Sequence, residues 1–154
     1  TLELKSLQSK FLIQEIDSKP VSKNNLKIVT KKKPSPREID DLLFAFKVAR
    51  YVKSNAIVFV KNKKTLGIGA GQMSRIDSTN IAKSKAKKQN ISLKGSVMAS
   101  EAFFPFRDNI DLAKKIGVSS IIQPGGSIKD EEIISITDKY NLSMVFTNVR
   151  VFKH

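Results

Sequence analysis

Four short segments of this 154-residue chain carry residue types that a plain connector does not need. Gly67-Ile68-Gly69-Ala70-Gly71 leads into Gln72-Met73-Ser74-Arg75-Ile76-Asp77, and Glu101-Ala102-Phe103-Phe104-Pro105-Phe106 leads into Arg107-Asp108. Gln123-Pro124-Gly125-Gly126-Ser127 comes just before a helical pattern, and Thr147-Asn148-Val149-Arg150 lies near the end. Pro124-Gly125-Gly126-Ser127 can turn free backbone N–H groups toward a carboxylate or phosphate. It is equally a common turn into a helix. Three aromatics around Pro105 cannot all enter a core easily, which predicts a flat pocket wall for a heterocycle. The alternative is a loop plug over the core. The glycine run invites a dinucleotide-loop reading, but Gln72 stands where the third glycine belongs and no early strand of that fold precedes it. Close backbone packing is the preferred explanation for those glycines.

Composition narrows the chemistry further. The profile of 40% hydrophobic, 27% charged and 7% aromatic residues is that of one soluble globular domain and not of a disordered tail. No stretch approaches the roughly 18 apolar residues of a membrane helix, and the opening residues lack a signal-peptide pattern, so a cytoplasmic location is expected. There is no Cys, which removes disulfides, thiol catalysis and thiolate metal sites, and the one His is His154. A first residue of Thr1 rather than Met is expected of a processed chain or of a piece of a longer one. Lys and Arg number 28 against 14 Asp and Glu, a net charge of +14, which suits nucleic acid or an anionic small molecule. Only Arg37, Arg50, Arg75, Arg107 and Arg150 are arginines, however, and the lysine runs 31–33, 61–64 and 83–88 read as solvated faces. Base-reading proteins use arginine forks and stacked aromatics, which are not interleaved with these lysines.

The elements that must position these segments follow from periodicity. Residues 11–16 and 26–30 read as strands, with a loop between them around Pro20 and Asn24-Asn25. Ser35, Pro36 and Glu38 form a capping box with proline at the first helical position, and Ile39, Leu42, Leu43 and Phe46 mark the buried face of a helix running to about Val52. Ala56 to Val60 reads as a strand covered on both faces, with residues 65–69 its hairpin partner. A helix from about Ser78 to Lys88, a strand at 96–99, a helix capped by Asp108 and ended by Gly117, a strand at 118–122, a helix at 130–139 and a strand at 143–146 complete the order. The alternation predicts one α/β layered domain with a mostly parallel mixed sheet, one antiparallel hairpin and helices on both faces. In such sheets the ligand lies beyond the carboxyl ends of the strands, where all four chemistry-bearing segments fall.

The blocks Lys53-Ser54-Asn55-Ala56-Ile57, Gly67 to Arg75, Leu93 to Ser100, Ala102 to Asp108 and Gln123 to Ile128, in this order, resemble the C-terminal half of the bifunctional purine biosynthesis protein family, the AICAR transformylase/IMP cyclohydrolases. The resemblance runs from about Leu26 to His154, and residues 1–25 are similar to the variable connector of that family. It implies a three-layer, cytidine-deaminase-like α/β half-domain without zinc, acting in a homodimer with sites near the subunit interface. The implied reaction moves a formyl group from 10-formyltetrahydrofolate to the 5-amino group of AICAR, giving FAICAR in IMP biosynthesis. Carried over by matching motif, Asn55 would orient the formyl oxygen or the substrate carboxamide, Arg75 and Phe103 would hold the nucleotide, and Arg150 would meet its phosphate. Ile76, Asp108, Ser127 and Ile128 would face the folate.

Two departures accompany the resemblance. Glu101 stands where the family usually has Asp. The family's catalytic lysine and histidine pair belongs to the first half of the transformylase domain and matches nothing here, nor does anything match the cyclohydrolase domain, so the chain alone is expected to be inactive. The expected partners are the missing N-terminal half and a second subunit, with no nucleic acid, membrane or metal. The competing expectations are a basic nucleic-acid-binding module and a structural half-domain that drives dimerisation through an exposed apolar patch.

Overall fold

The computed structural model describes residues 2–15 and 20–153; the expected strand end Ile16 and the lone histidine His154 lie outside the described residues. The elements are β1 (Leu2–Leu7), β2 (Lys10–Glu15), a 3-10 turn (Lys23–Asn25), β3 (Lys27–Ile28), α1 (Pro36–Ala49), β4 (Ile57–Lys61), β5 (Lys64–Gly69), α2 (Arg75–Lys88), β6 (Val97–Ser100), α3 (Asp108–Ile116), β7 (Ser120–Gln123), α4 (Asp130–Lys139) and β8 (Ser143–Phe146).

β3 to β8 form a six-stranded sheet in the order β3-β8-β7-β6-β4-β5. Its central strands alternate their side chains between two layers, as the pleat dictates. On one face Val58, Val60, Val97, Ala99, Ile122 and Val145 pack against Leu42, Ala45, Phe46 and Ala49 of α1. On the other, Ile57, Phe59, Met98, Ile121 and Met144 receive Ala82 and Ala86 of α2, Ile110 and Ala113 of α3, and Ile133 and Ile136 of α4. The three-layer α/β expectation therefore holds, with one helix on one face and three on the other.

The expectation of a mostly parallel sheet is corrected. Only β6-β7 and β7-β8 are parallel, whereas β4-β5, β4-β6 and β3-β8 are antiparallel. The cause is the hairpin: α2 returns the chain to a strand running the same way as β5, and β4, antiparallel to both, occupies the slot between them. Consequently the start of β4 and the ends of β5, β6, β7 and β8 all lie at one edge of the sheet. The first strand is corrected too. Residues 2–15 make an antiparallel hairpin pairing Leu4 with Ile13 and Lys5 with Leu12, set apart from the main sheet. It leaves Leu2, Leu4, Leu7, Phe11, Leu12 and Ile13 exposed.

The α1 cap forms as its sequence predicts, and the helix ends three residues short of the expected Val52. The Ser35 hydroxyl accepts from Glu38 N at 3.3 Å, and Ser35 N donates to Glu38 Oε2 at 2.7 Å. Burial pushes the Glu38 carboxyl up, but the Ser35 N–H, the hydroxyls of Ser119 and Ser35, and Lys32 outweigh it and hold the group below its ordinary 4.5. A carboxylate depressed in the folded state stabilises fully above its unfolded pKa and loses that contribution as pH falls through the lower folded value. Glu38→Gln is therefore expected to flatten the acid limb of stability, measured as urea midpoints from pH 6 down to pH 3, with wild type falling more steeply below about pH 4.5.

Candidate functional site

Four loops and the first turn of α2 converge at the edge where β5, β6, β7 and β8 end. The polar start of α2 lies here because Ser74 caps it: its hydroxyl accepts from Asp77 N at 3.2 Å and donates to Asp77 Oδ2 at 2.6 Å. The expected start at Ser78 is thus corrected by one turn, and Arg75 is the first helical residue rather than a loop residue. The helix buries only small residues, Ser78, Thr79, Ala82 and Ala86, which lets it lie close on β5. A Cβ on Gly69 would sit 1.8 Å from Ser78 O, and one on Gly67 2.6 Å from Ala82 O. These glycines serve close packing, as expected, and by doing so they set the depth of Arg75.

Arg75 reaches inward. Its Nε donates to Ser100 Oγ at 3.2 Å and its Nη2 lies 3.4 Å from Oε1 of Glu101, a residue wholly shielded from solvent. Burial lowers the pKa of Arg75, Glu101 opposes that shift, and positive Arg150 adds to it, for a net value below that of an ordinary guanidinium. Arg150 in turn lies over the Phe103 ring, 4.7 Å from its centroid, and donates through Nη2 to Gly126 O at 3.4 Å. Gly125, with φ of +73°, passes so close to Phe146 that a Cβ would meet its ring at 2.4 Å, which brings the Gly125-Gly126 turn within reach of Arg150.

Asn55 sits at the start of β4 on the same edge. Its Nδ2 donates to Gln72 O at 2.9 Å, using one of two amide hydrogens, and its backbone carbonyl accepts from Ser78 Oγ at 2.7 Å. The Ser54–Asn55 peptide bond is cis. The structure thus brings Asn55, Arg75, Phe103 and Arg150 to one edge of the sheet.

The residues expected to face folate are more dispersed. Ile76 is half-buried in the first turn of α2. Asp108 does not cap α3, because Arg107 occupies the cap position without a side-chain bond. Instead Asp108 Oδ1 accepts from the backbone and side-chain amides of Asn109, at 2.7 and 3.0 Å. Ser127 Oγ accepts from Lys129 N at 3.1 Å, and Ile128 is fully exposed. The aromatic loop divides: Phe104 is the core plug, Phe103 faces Arg150, and Phe106 is exposed. Gln123, which heads the 123–127 segment, has a role that its sequence position does not predict: its Oε1 accepts from Phe104 N at 2.9 Å and so fixes the aromatic loop.

A cavity of about 300 Å³ lies between Pro20-Val21 and α1, and another of about 410 Å³ lies between Pro20, Val21 and Asn25 and the 147–149 loop. Neither is lined by Asn55, Arg75, Phe103 or Arg150. Among the described residues no group of His, Cys, Asp and Glu could hold a metal ion. The His and Cys donors of a zinc deaminase are not present on this sheet, since the sequence has no Cys and its one His is His154. Nor is any helix among the described residues long and apolar enough to cross a membrane.

Sheet order, layers and the position of the loop cluster define a deaminase-like α/β domain. A dCMP deaminase from cyanophage S-TIM5 has the same fold, with a TM-score of 0.50 at 16% identity over 72% of this chain and 98% of that one. A deaminase/reductase from Thermotoga maritima that acts on diaminohydroxyphosphoribosylaminopyrimidine matches 67% of this chain and 34% of its own, with a TM-score of 0.44 at 15% identity. The chain belongs to the AICARFT/IMPCHase bienzyme family, which matches residues 1–85. It is 53% identical over 152 residues to the bifunctional purine biosynthesis protein PurH of Chlorobium phaeobacteroides (strain BS1), covering 99% of this chain. It spans 29% of that relative's length.

Proposed function

We propose that this chain forms part of the nucleotide and folate sites of a cytoplasmic enzyme that transfers the formyl group of 10-formyltetrahydrofolate to AICAR, giving FAICAR. The whole enzyme is also an IMP cyclohydrolase and works as a homodimer. The observation that carries the reading is the meeting of Asn55, Arg75, Phe103 and Arg150, from four separate segments, at one sheet edge. Arg75 and Arg150 give that edge the cationic character a phosphorylated nucleotide requires, and Phe103 offers a ring face beside them. The free amide hydrogen of Asn55 is available to an oxygen on which negative charge develops during formyl transfer, and an amide donates there without titrating. Asp108 keeps a carboxylate oxygen for the N–H groups of a pterin, with Ile76, Ser127 and Ile128 as the other folate-facing residues. Neither lysine–histidine pair nor metal enters the proposed role of this chain, so it is inactive without its N-terminal half.

The +14 charge does not favour nucleic acid over this reading. The β4-β5 turn, with exposed Lys61, Lys63 and Lys64, lies at the sheet edge opposite Asn55, and Lys61 Nζ donates there to Lys94 O at 2.9 Å. The exposed Met73, Phe106 and Ile128 lie in the loops of the site edge, where docking of the remaining polypeptide or a second subunit would cover them. The test is complementation. The 154-residue chain mixed with a separately produced N-terminal half is expected to transfer formyl groups, and neither piece alone should do so. Formyl transfer by the chain alone, or full activity of a mixture carrying Asn55→Ala, would overturn the assignment.

A further inference from the structure

We infer that Glu101 is a positioning residue that sets the geometry of the nucleotide-binding groups from beneath, without touching the nucleotide. The inference rests on the nucleotide site proposed above. Glu101 is fully buried, a costly place for a carboxylate unless every lone pair it offers is used. Its Oε1 accepts from Ala56 N at 3.1 Å and lies 3.4 Å from Arg75 Nη2. Its Oε2 lies 3.4 Å from Ser100 Oγ, which accepts from Arg75 Nε at 3.2 Å and donates its one hydrogen over a shorter distance, 2.7 Å, to Ala102 O, and the backbone oxygen of Glu101 accepts from Val151 N at 3.1 Å.

Each partner adjoins a proposed nucleotide contact. The Ala56 N–H belongs to the peptide unit whose carbonyl is Asn55 O, so Glu101 on one side and Ser78 Oγ, at 2.7 Å, on the other lock that unit in place. Arg75 is held directly. The Val151 bond fixes the backbone immediately after Arg150, whose guanidinium then reaches back over Phe103. One residue therefore ties the start of β4, the start of α2 and the closing loop together, and supplies the negative charge that lets two arginines share one edge. No other described carboxylate is paired with Arg75 or Arg150.

The role makes a prediction that general support of the fold does not. In the full-length bienzyme, Glu101→Gln keeps the size and an acceptor for Ala56 N but removes the charge that orients Arg75. It is expected to raise the KM for AICAR by about tenfold, the scale of a lost charged hydrogen bond, with the folate KM unchanged. Glu101→Asp, which keeps the charge, should recover most of the AICAR KM. Ser100→Ala, a small change that leaves the carboxylate in place, should raise the same KM by about threefold and provides the readout if Glu101→Gln does not fold. Arg150→Ala is assayed in parallel. An AICAR KM that moves in Arg150→Ala but stays unchanged in folded Glu101→Gln and in Ser100→Ala overturns the positioning role alone. Loss of kcat in Glu101→Gln with both KM values intact overturns it as well. An AICAR KM indifferent to Arg150→Ala overturns both the site assignment and this inference.

Discussion

Replacement of Arg150 by alanine is expected to weaken AICAR binding by about 10- to 100-fold, the equivalent of one charged hydrogen-bond contribution of about 1.5–3 kcal/mol, while leaving the fold intact. The two halves of that expectation come from different features of the residue. Arg150 is exposed, and its own contacts are the Phe103 ring at 4.7 Å and a long bond to Gly126 O at 3.4 Å. An exposed cation over a ring contributes only about 0.5–1 kcal/mol, so the thermal midpoint should move by no more than roughly 2–4 °C. What the guanidinium does retain is donor capacity at an edge where Arg75 already spends donors on Ser100 and Glu101. Arg75→Ala would be a poorer test, because it strands the carboxylate of Glu101 in the interior and confuses binding with stability. The check is a calorimetric titration of the wild-type and variant chains beside their melting curves.

The second large effect concerns the fold that places Arg75. Gly69→Ala puts a methyl group 1.8 Å from Ser78 O, against helix backbone that has no rotamer to escape into. Either α2 lifts from β5 or β5 bends, at a cost of about 3 kcal/mol, which for a domain of this size lowers the melting temperature by roughly 6–12 °C. Because Ser78 also bonds Asn55 O at 2.7 Å, the displacement reaches Asn55 as well as Arg75. The variant is therefore expected to lose AICAR affinity even at temperatures where it stays folded, which melting by circular dichroism followed by titration would show.

The parts of the fold written in local chemistry were legible. Ser35, Pro36 and Glu38 announced α1, and α4 and β8 occur over the expected residues because each pairs a clear apolar period with turn residues at its ends. The start of α2 was missed because its buried face is made of serine, threonine and alanine, which leave no large apolar period, although Ser74 and Asp77 carried a cap signal. For the β1-β2 hairpin the sequence predicts one strand and a connector. Its turn places Gln8 at φ of 55° with no glycine to advertise it, and only the alternation of Leu2, Leu4 and the residues opposite them marked the extra strand. Strand direction was beyond the sequence, since a β-α-β order does not say that β4 inserts between β5 and β6.

The candidate site divides in the same way. Arg75, Phe103 and Arg150 were visible as unusual residues in loops, and placing those loops on one edge required only the alternation of elements. Glu101 was legible as a charge and not as a hub, because its partners, Ala56, Arg75 and Val151, are brought together only by the assembled sheet.

The most direct measurement is a titration of this chain with AICAR and with random-sequence DNA at two salt concentrations. The proposed site predicts a saturable AICAR signal, and any DNA binding by the surface lysines should collapse as salt rises through counterion release. No saturable response to AICAR, together with tight DNA binding at physiological salt, would contradict it.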